Sequence, residues 1–182
     1  MKIVFLVEEP SMGEVLEVIL PQILSCQTEF TVIPHQGYGD LRMSIPKKLN
    51  IWREDDVRFV IVHDQDNKDC VALKRELENL CRPYNRHVLI RIACHELEAW
   101  YFGDLKAVSK AYGKKLENLS SKSAYRVPDN IMAPKERLKR LIPEHQQISG
   151  AKRIAPYMDI YSNTSKSFNV FVEGVRRLER DA

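Results

Sequence analysis

No apolar run in this chain is long enough to cross a bilayer. Stretches such as Ile3 to Val7 and Phe59 to Val62 span five and four residues, where a membrane helix needs about 20. The N-terminus enters a strand pattern at once, without the charged segment, apolar stretch and cleavage site of an export signal, which points to a cytoplasmic protein with no membrane partner. Cysteine is sparse. Cys26, Cys70, Cys81 and Cys94 include no C-x-x-C pair and each lies in or beside an apolar segment, so reduced, mostly buried thiols are expected. The fragment His95-Glu96-Leu97-Glu98-Ala99-Trp100 has no second histidine at the spacing of a zincin, which argues against zinc hydrolysis. Internal repeats and low-complexity tracts are absent too. What remains, 182 residues with 44% hydrophobic and 29% charged side chains, is the composition of one globular domain with a sizeable core.

Apolar runs alternate with helical patterns through the first hundred residues. Lys2 to Val7, Phe30 to Ile33, Val57 to Val62 and Val88 to Ala93 read as buried strands. After Glu8-Glu9-Pro10, Ser11 and Glu14 suggest a capping box ahead of a helix carrying Val15, Leu16, Ile19, Leu20, Ile23 and Leu24, which Pro21 should kink or divide. Pro34 to Asp40 reads as a loop with two glycines, and a helix should start near Ser44 with Pro46 in its first turn. Val71, Leu73, Leu77 and Leu80 mark another helix, which stops before Pro83. Four strand-then-helix units in succession specify an α/β fold, with a doubly wound, mainly parallel sheet flanked by helices.

Beyond Gly113 the pattern changes to a polar stretch at 116–130, a short basic helix from Pro134 to Leu141, a helix entered at Ile148-Ser149-Gly150-Ala151-Lys152, and an amphipathic helix after Ser165-Lys166-Ser167. The expectation is a single domain over 1–182, with an α/β core at 1–105 and a basic, mostly helical extension at 106–182 packed on it. Charge divides the same way. The first 105 residues hold 12 basic against 17 acidic side chains, net −5, and the rest hold 16 against 8, net +8. An acidic sheet edge joined to a basic region suits a metal-bound polyanion as substrate.

Six carboxylates carry the chemistry. Glu8, Glu9, Asp64, Asp66, Glu96 and Glu98 all fall just past strand runs, and a parallel sheet would gather those strand ends at one edge. Two like charges about 4 Å apart repel by roughly 4 kcal/mol at an effective dielectric of 20, so such a cluster needs protons or a cation. Mg²⁺, with Mn²⁺ as a substitute, is the hard cation that carboxylate oxygens suit. In an extended Asp64-Gln65-Asp66 both aspartates would point to one side and could share one ion or bridge two. Glu8 could ligate the metal or take the proton of an attacking group. Lys152, Arg153 and Lys166, beside small residues near helix starts, are candidate phosphate contacts. Trp100 and Tyr157 are candidates to stack on bases, and His63 and His95 to orient water or touch phosphate.

Ile3-Val-Phe-Leu-Val-Glu8-Glu9-Pro10-Ser11 and Val60-Ile-Val-His-Asp64-Gln-Asp66 resemble the Toprim fold of topoisomerases, primases and overcoming-lysogenization-defect nucleases. More closely, and over nearly its full length, the chain resembles a bacterial family of uncharacterised Toprim-like proteins, domain of unknown function 4276. Glu8 matches the acid after the first strand, Asp64 and Asp66 the D-x-D, and Glu96-Leu97-Glu98-Ala99-Trp100 a downstream E-L-E-x-W element. Glu9 stands where the wider Toprim pattern has glycine. The resemblance implies Mg²⁺-dependent phosphodiester chemistry on nucleic acid, DNA before RNA, with an ATPase partner as in related defence nucleases. On this reading Glu8, Asp64 and Asp66 are catalytic, with Glu9, Glu96 and Glu98 as further metal ligands.

Other readings use the same residues. A non-cutting module would bind nucleic acid, nucleotide or a partner ATPase in the same cleft, with salt-dependent binding and no turnover. A receiver-like phosphoacceptor would use Asp64, although strand one ends in Glu-Glu and no lysine follows a fifth strand. A haloacid-dehalogenase-type phosphatase would place its D-x-D after the first strand instead.

Overall fold

Four strands, β1 (Lys2–Val7), β2 (Glu29–Pro34), β3 (Val57–Asp64) and β4 (His87–Ala93), form one sheet in the order β2-β1-β3-β4, with every pair parallel. The computed structural model describes residues 1–54 and 56–181. β1 and β3 are apolar without alternation because both of their faces are covered, and Ile3 to Val7 and Phe59 to Val62 are wholly buried. One face packs on α2 (Tyr38–Ile51) and α3 (Cys70–Cys81) through Leu41, Ile45, Leu49, Leu73 and Leu77. The other face carries α1 (Pro10–Ile23) and the helical C-terminal half: α4 (Glu98–Phe102), α5 (Leu105–Tyr112), α6 (Pro134–Leu141), α7 (Gln147–Ile154) and α8 (Lys166–Arg180). The crossover from β1 leads outward to β2 while that from β3 leads the opposite way to β4, so the winding reverses between β1 and β3. In open parallel sheets that reversal leaves a crevice at the carboxyl ends of the two strands.

Several boundaries differ from the sequence reading. α1 begins at Pro10 with Glu9 as N-cap, not at a Ser11 capping box, because proline at the first helical position gives up only an N–H that the helix would leave unpaired. Pro21 neither divides nor ends α1, which closes two residues later at Ile23. α2 starts at Tyr38, six residues before the expected Ser44, and carries Pro46 in its interior. Gly37, at φ 94°, turns the chain into this helix, and Asp40 accepts a hydrogen bond from the Gln36 N–H at 2.9 Å. The buried stripe of Leu41, Ile45 and Leu49 outweighs the hydrogen bond that Pro46 removes. The thiols also differ from expectation: Cys81 alone is buried, Cys26 is exposed and Cys70 and Cys94 are half-buried.

Ser165-Lys166-Ser167 ties the C-terminal half to the sheet edge. Ser165 caps α8 by accepting from the Phe168 N–H, and Asp129 accepts from the Ser165 hydroxyl at 2.7 Å and the Ser167 N–H at 2.8 Å. Ser167 Oγ in turn accepts from the Trp100 indole at 3.1 Å and the Cys94 N–H at 3.3 Å. Half-buried Asp129 and the two buried serines thus join α4, α8 and the end of β4 at one point. Trp100 is fully buried against Phe168 and Phe171, so it stacks within the core and not on a base.

Candidate functional site

Glu8 follows β1, Asp64 ends β3, and the parallel register brings them side by side at the winding reversal. The Asp64 N–H donates to Glu8 Oε2 at 3.1 Å, and His63 Nδ1 stands 2.8 Å from the same oxygen. Burial works to raise the affinity of Glu8 for a proton, but the hydrogen bonds from His63 and Asp64 and the nearby Lys68 ammonium outweigh it, leaving the carboxyl below its ordinary range. Glu8 is therefore an ionised, oriented carboxylate. His63 is itself fully buried, edge-on to Tyr38.

Asp64 behaves in the opposite way. Its carboxyl is held well above the ordinary range by burial first and then by the negative charges of Glu98, Glu8 and Glu9, against which a hydrogen bond from the Leu97 backbone works only in part. Oδ1 of Asp64 is sealed from solvent and has no hydrogen-bond partner. Buried polar atoms are nearly always paired, so this one is an exception. The other side-chain atoms of this kind among the described residues are His35 Nε2, His63 Nε2, Tyr101 Oη and His145 Nε2.

The remaining acids of the sequence reading gather around this pair. Glu98, only 2% exposed, has its carboxyl pushed up to about 7 by burial and by Glu96 and Glu9, with Lys135 pulling the other way. Glu9 Oε2 accepts from Gln147 at 2.9 Å, and Glu96 Oε2 accepts from the Lys135 N–H at 2.9 Å. Asp66 is exposed and departs from expectation. The chain turns left-handed there, at φ 51°, so the alternation that would align it with Asp64 is broken, and its N–H donates to the His95 carbonyl at 2.6 Å. His95 and Ala133 are also left-handed, at φ 58° and 47°. Asp66, His95 and Ala133 are the three non-glycine residues with positive φ among the described residues, and each borders the acidic cluster through Asp66, Glu96 or Lys135. Such strain concentrates where function over-determines the backbone.

Among the described residues no three histidine, cysteine, aspartate or glutamate side chains stand, as placed, close enough to ligate one ion. The donor chemistry nevertheless fits a hard divalent cation. The free oxygens are carboxylate, one of them is buried and unpaired, and adjacent negative charges disfavour one another, a repulsion that a proton or a cation relieves.

A family model described as "Domain of unknown function (DUF4276)" matches residues 7–176. The chain belongs to this family. No curated protein and no solved structure matches it. The DUF4276 match takes in all six carboxylates and the basic helices beyond them. No helix in the described residues is long and apolar enough to cross a membrane.

The phosphate contacts expected at Lys152, Arg153 and Lys166 are not joined to the acids of the cluster by any hydrogen bond or ion pair among the described residues. Lys152 pairs with Glu14 at 3.4 Å, Arg153 lies over the Tyr112 ring at 5.0 Å, and Lys166 opens α8. The cations that do reach the cluster are Lys68, whose charge acts on Glu8 and Asp66, and Lys135, whose charge acts on Asp66 and Glu98. Neither stands out in the sequence, since each is one surface lysine among many until the fold carries it to the sheet edge.

Beneath the site Glu98 Oε1 lies 4.0 Å from His145 Nε2, and both side chains are 3% exposed. Burial and the neighbouring Lys139 push the His145 imidazole down to about 4. Near pH 5.5 folding moves one proton from His145 to Glu98, so the pair adds no slope to stability there. Glu98→Gln removes that compensation. Between pH 6.5 and 4 the unfolded variant would then hold a proton on His145 that the folded variant refuses, so its stability should fall as pH drops through that window, by up to ~3 kcal/mol. Urea midpoints at pH 7 and pH 5 check this, the variant losing more than the parent.

Proposed function

We propose that this chain is a divalent-cation-dependent phosphodiester-cleaving or phosphodiester-transferring enzyme that acts on nucleic acid. The observation that carries the reading is the unpaired, buried oxygen of Asp64, set beside ionised Glu8 at the winding reversal with Glu9 and Glu98 close enough to disfavour its charge. Mg²⁺, or Mn²⁺ in its place, would be held by Glu8 and Asp64, and would supply charge neutralisation for the phosphoryl oxygens. The likeness of Glu8 and Asp64-Gln65-Asp66 to the Toprim arrangement supports the same assignment. The chain's own groups have separable roles. His63 and the Asp64 N–H fix the Glu8 carboxylate so that it can orient a hydroxyl or water and accept its proton. Lys68 and Lys135 offer positive charge to a phosphate that approaches the acids.

Incubation of the protein with supercoiled plasmid in Mg²⁺ or Mn²⁺, beside the Asp64→Asn variant, tests the reading. Nicked or linear product from the parent alone is the expected result, and equal cutting by both proteins discards it. A non-cutting module that binds nucleic acid in the same cleft is the second reading. It is favoured by the engagement of Glu8, Glu9 and Glu96 oxygens with protein donors, and predicts strand binding with no product from either protein.

A further inference from the structure

We propose that the groove between α6 and the turn into α7 binds the backbone phosphates of a nucleic-acid strand and leads that strand into the acidic site. The inference rests on the reading of that site as phosphodiester chemistry and adds where the polymer lies. The groove is an open cavity of about 600 Å³. Lys135, Glu136, Lys139 and Arg140 of α6 form one wall, and His145, Gln146 and Gln147 the other. Three cations against one acid leave the lining at net +2.

The helix holds these cations in a defined row. Leu138 and Pro134 are buried and anchor α6, while Lys139 and Arg140 remain exposed. Lys135 and Arg140 are five residues apart, a rise of about 7.5 Å along the helix, so the row can meet more than one phosphate of a strand. Lys139 Nζ donates to the His145 carbonyl at 2.6 Å, which fixes the side chain and leaves two of its donors free. Among the described residues Arg140 pairs only with exposed Glu136, at 3.7 Å, a pairing too weak to withhold the guanidinium from a phosphate.

Two bonds connect the groove to the acids. The Lys135 N–H donates to Glu96, and Gln147 Nε2 donates to Glu9. His145, which lines the groove and is 3% exposed, has its Nε2 4.0 Å from Glu98 Oε1 and so gives a further link from the groove wall to the acids. Its Nδ1 is 2.7 Å from the Tyr112 hydroxyl, so with that hydroxyl donating, the proton sits on Nε2. The side-chain amides of Gln146 and Gln147 beside three cations are groups that recognise phosphate and sugar oxygens without reading sequence. An open groove whose lining residues Lys135 and Gln147 are bonded to Glu96 and Glu9 suits a polymer passing over the site better than a small enclosed ligand.

Fluorescence anisotropy with a short fluorescein-labelled single strand, in EDTA so that no turnover occurs, tests this on the full chain. Lys139→Gln/Arg140→Gln should weaken binding at least ~10-fold and reduce the slope of log affinity against log salt by about 1.4, at ~0.7 for each phosphate no longer neutralised. Lys47→Gln/Arg75→Gln, an equal charge change on α2 and α3 across the sheet, should leave both unchanged. Equal weakening in both double variants, or none in the first, overturns the groove. A nucleoside monophosphate that competes as tightly as the strand overturns the polymer in favour of a free nucleotide. Asp64→Asn should bind like the parent. If plasmid cutting is absent while the Lys139 and Arg140 effects hold, the nuclease reading fails and the groove stands; cutting that persists with no such effects gives the reverse.

Discussion

Asp64→Asn should lose at least ~100-fold of any divalent-dependent cleavage and yet unfold at a higher temperature than the parent. The two effects share one cause. Asp64 presents a buried oxygen with no donor to satisfy it, in the field of Glu98, Glu8 and Glu9, an arrangement that costs stability whenever the group is ionised. An amide of the same shape carries no charge and can donate to a neighbouring carboxylate. Relief of about 1 to 2 kcal/mol corresponds to ~2 to 8 °C in Tm for a chain of this size. The sign depends on pH. Because the folded carboxyl is raised, its neutral form persists above the ordinary carboxylate range and the parent loses stability relative to the variant as pH rises beyond that range, so the variant's advantage should be larger near pH 7 and vanish near pH 3. Scanning calorimetry at both values, beside a plasmid assay, separates this from a simple packing defect. A packing defect would lower Tm and activity together, and would show no dependence on pH.

The fold is legible in the sequence where burial is strongest. Lys2 to Val7 and Val57 to Val62 are apolar without alternation because helices cover both faces, and a run of that kind announces its strand without help from distant residues. Helix starts are less legible because they turn on single backbone angles. The φ of 94° at Gly37 begins α2 early, and Pro10 takes the first position of α1 away from Ser11. In the site, Glu8 and Asp64 can be placed together because both end adjacent strands of a parallel sheet. Asp66 cannot, since its left-handed turn depends on a hydrogen bond to the carbonyl of His95, beyond the whole of the next helix and strand. Lys135, His145 and Gln147 are illegible for a similar reason. They lie in or beside helices whose local sequence fixes amphipathicity but not the point on the sheet edge where they dock.

Gly103→Ala should be among the most destabilising single substitutions in the protein. An added Cβ would run into Asn163 Oδ1 and lie 2.7 Å from the Ser165 backbone nitrogen. Neither atom is free to withdraw. Asn163 is buried, its Nδ2 donates to the Trp100 carbonyl at 2.9 Å and its Oδ1 accepts from the Ser165 N–H at 2.9 Å. Thr164 returns two hydrogen bonds to the Gly103 carbonyl, from its N–H at 2.9 Å and its hydroxyl at 3.1 Å. The strap 163–165 is thereby locked to the end of α4, and relief of the clash has to break that lock and shift the cap of α8 with it. Overpacking of this kind costs about 3 kcal/mol or more, ~6 to 12 °C in Tm. Gly174→Ala is the informative comparison, because the three atoms nearest its Cβ all belong to the guanidinium group of Arg91, the far end of a flexible side chain. That arginine can swing away at the expense of its hydrogen bonds to Val170 and Ile90, roughly 1 kcal/mol. A Gly103→Ala protein as stable as Gly174→Ala would mean that the strap yields independently of α4. In that case the Asn163, Thr164 and Ser165 bonds would not be what holds α4, and Glu98 on it, against the sheet edge.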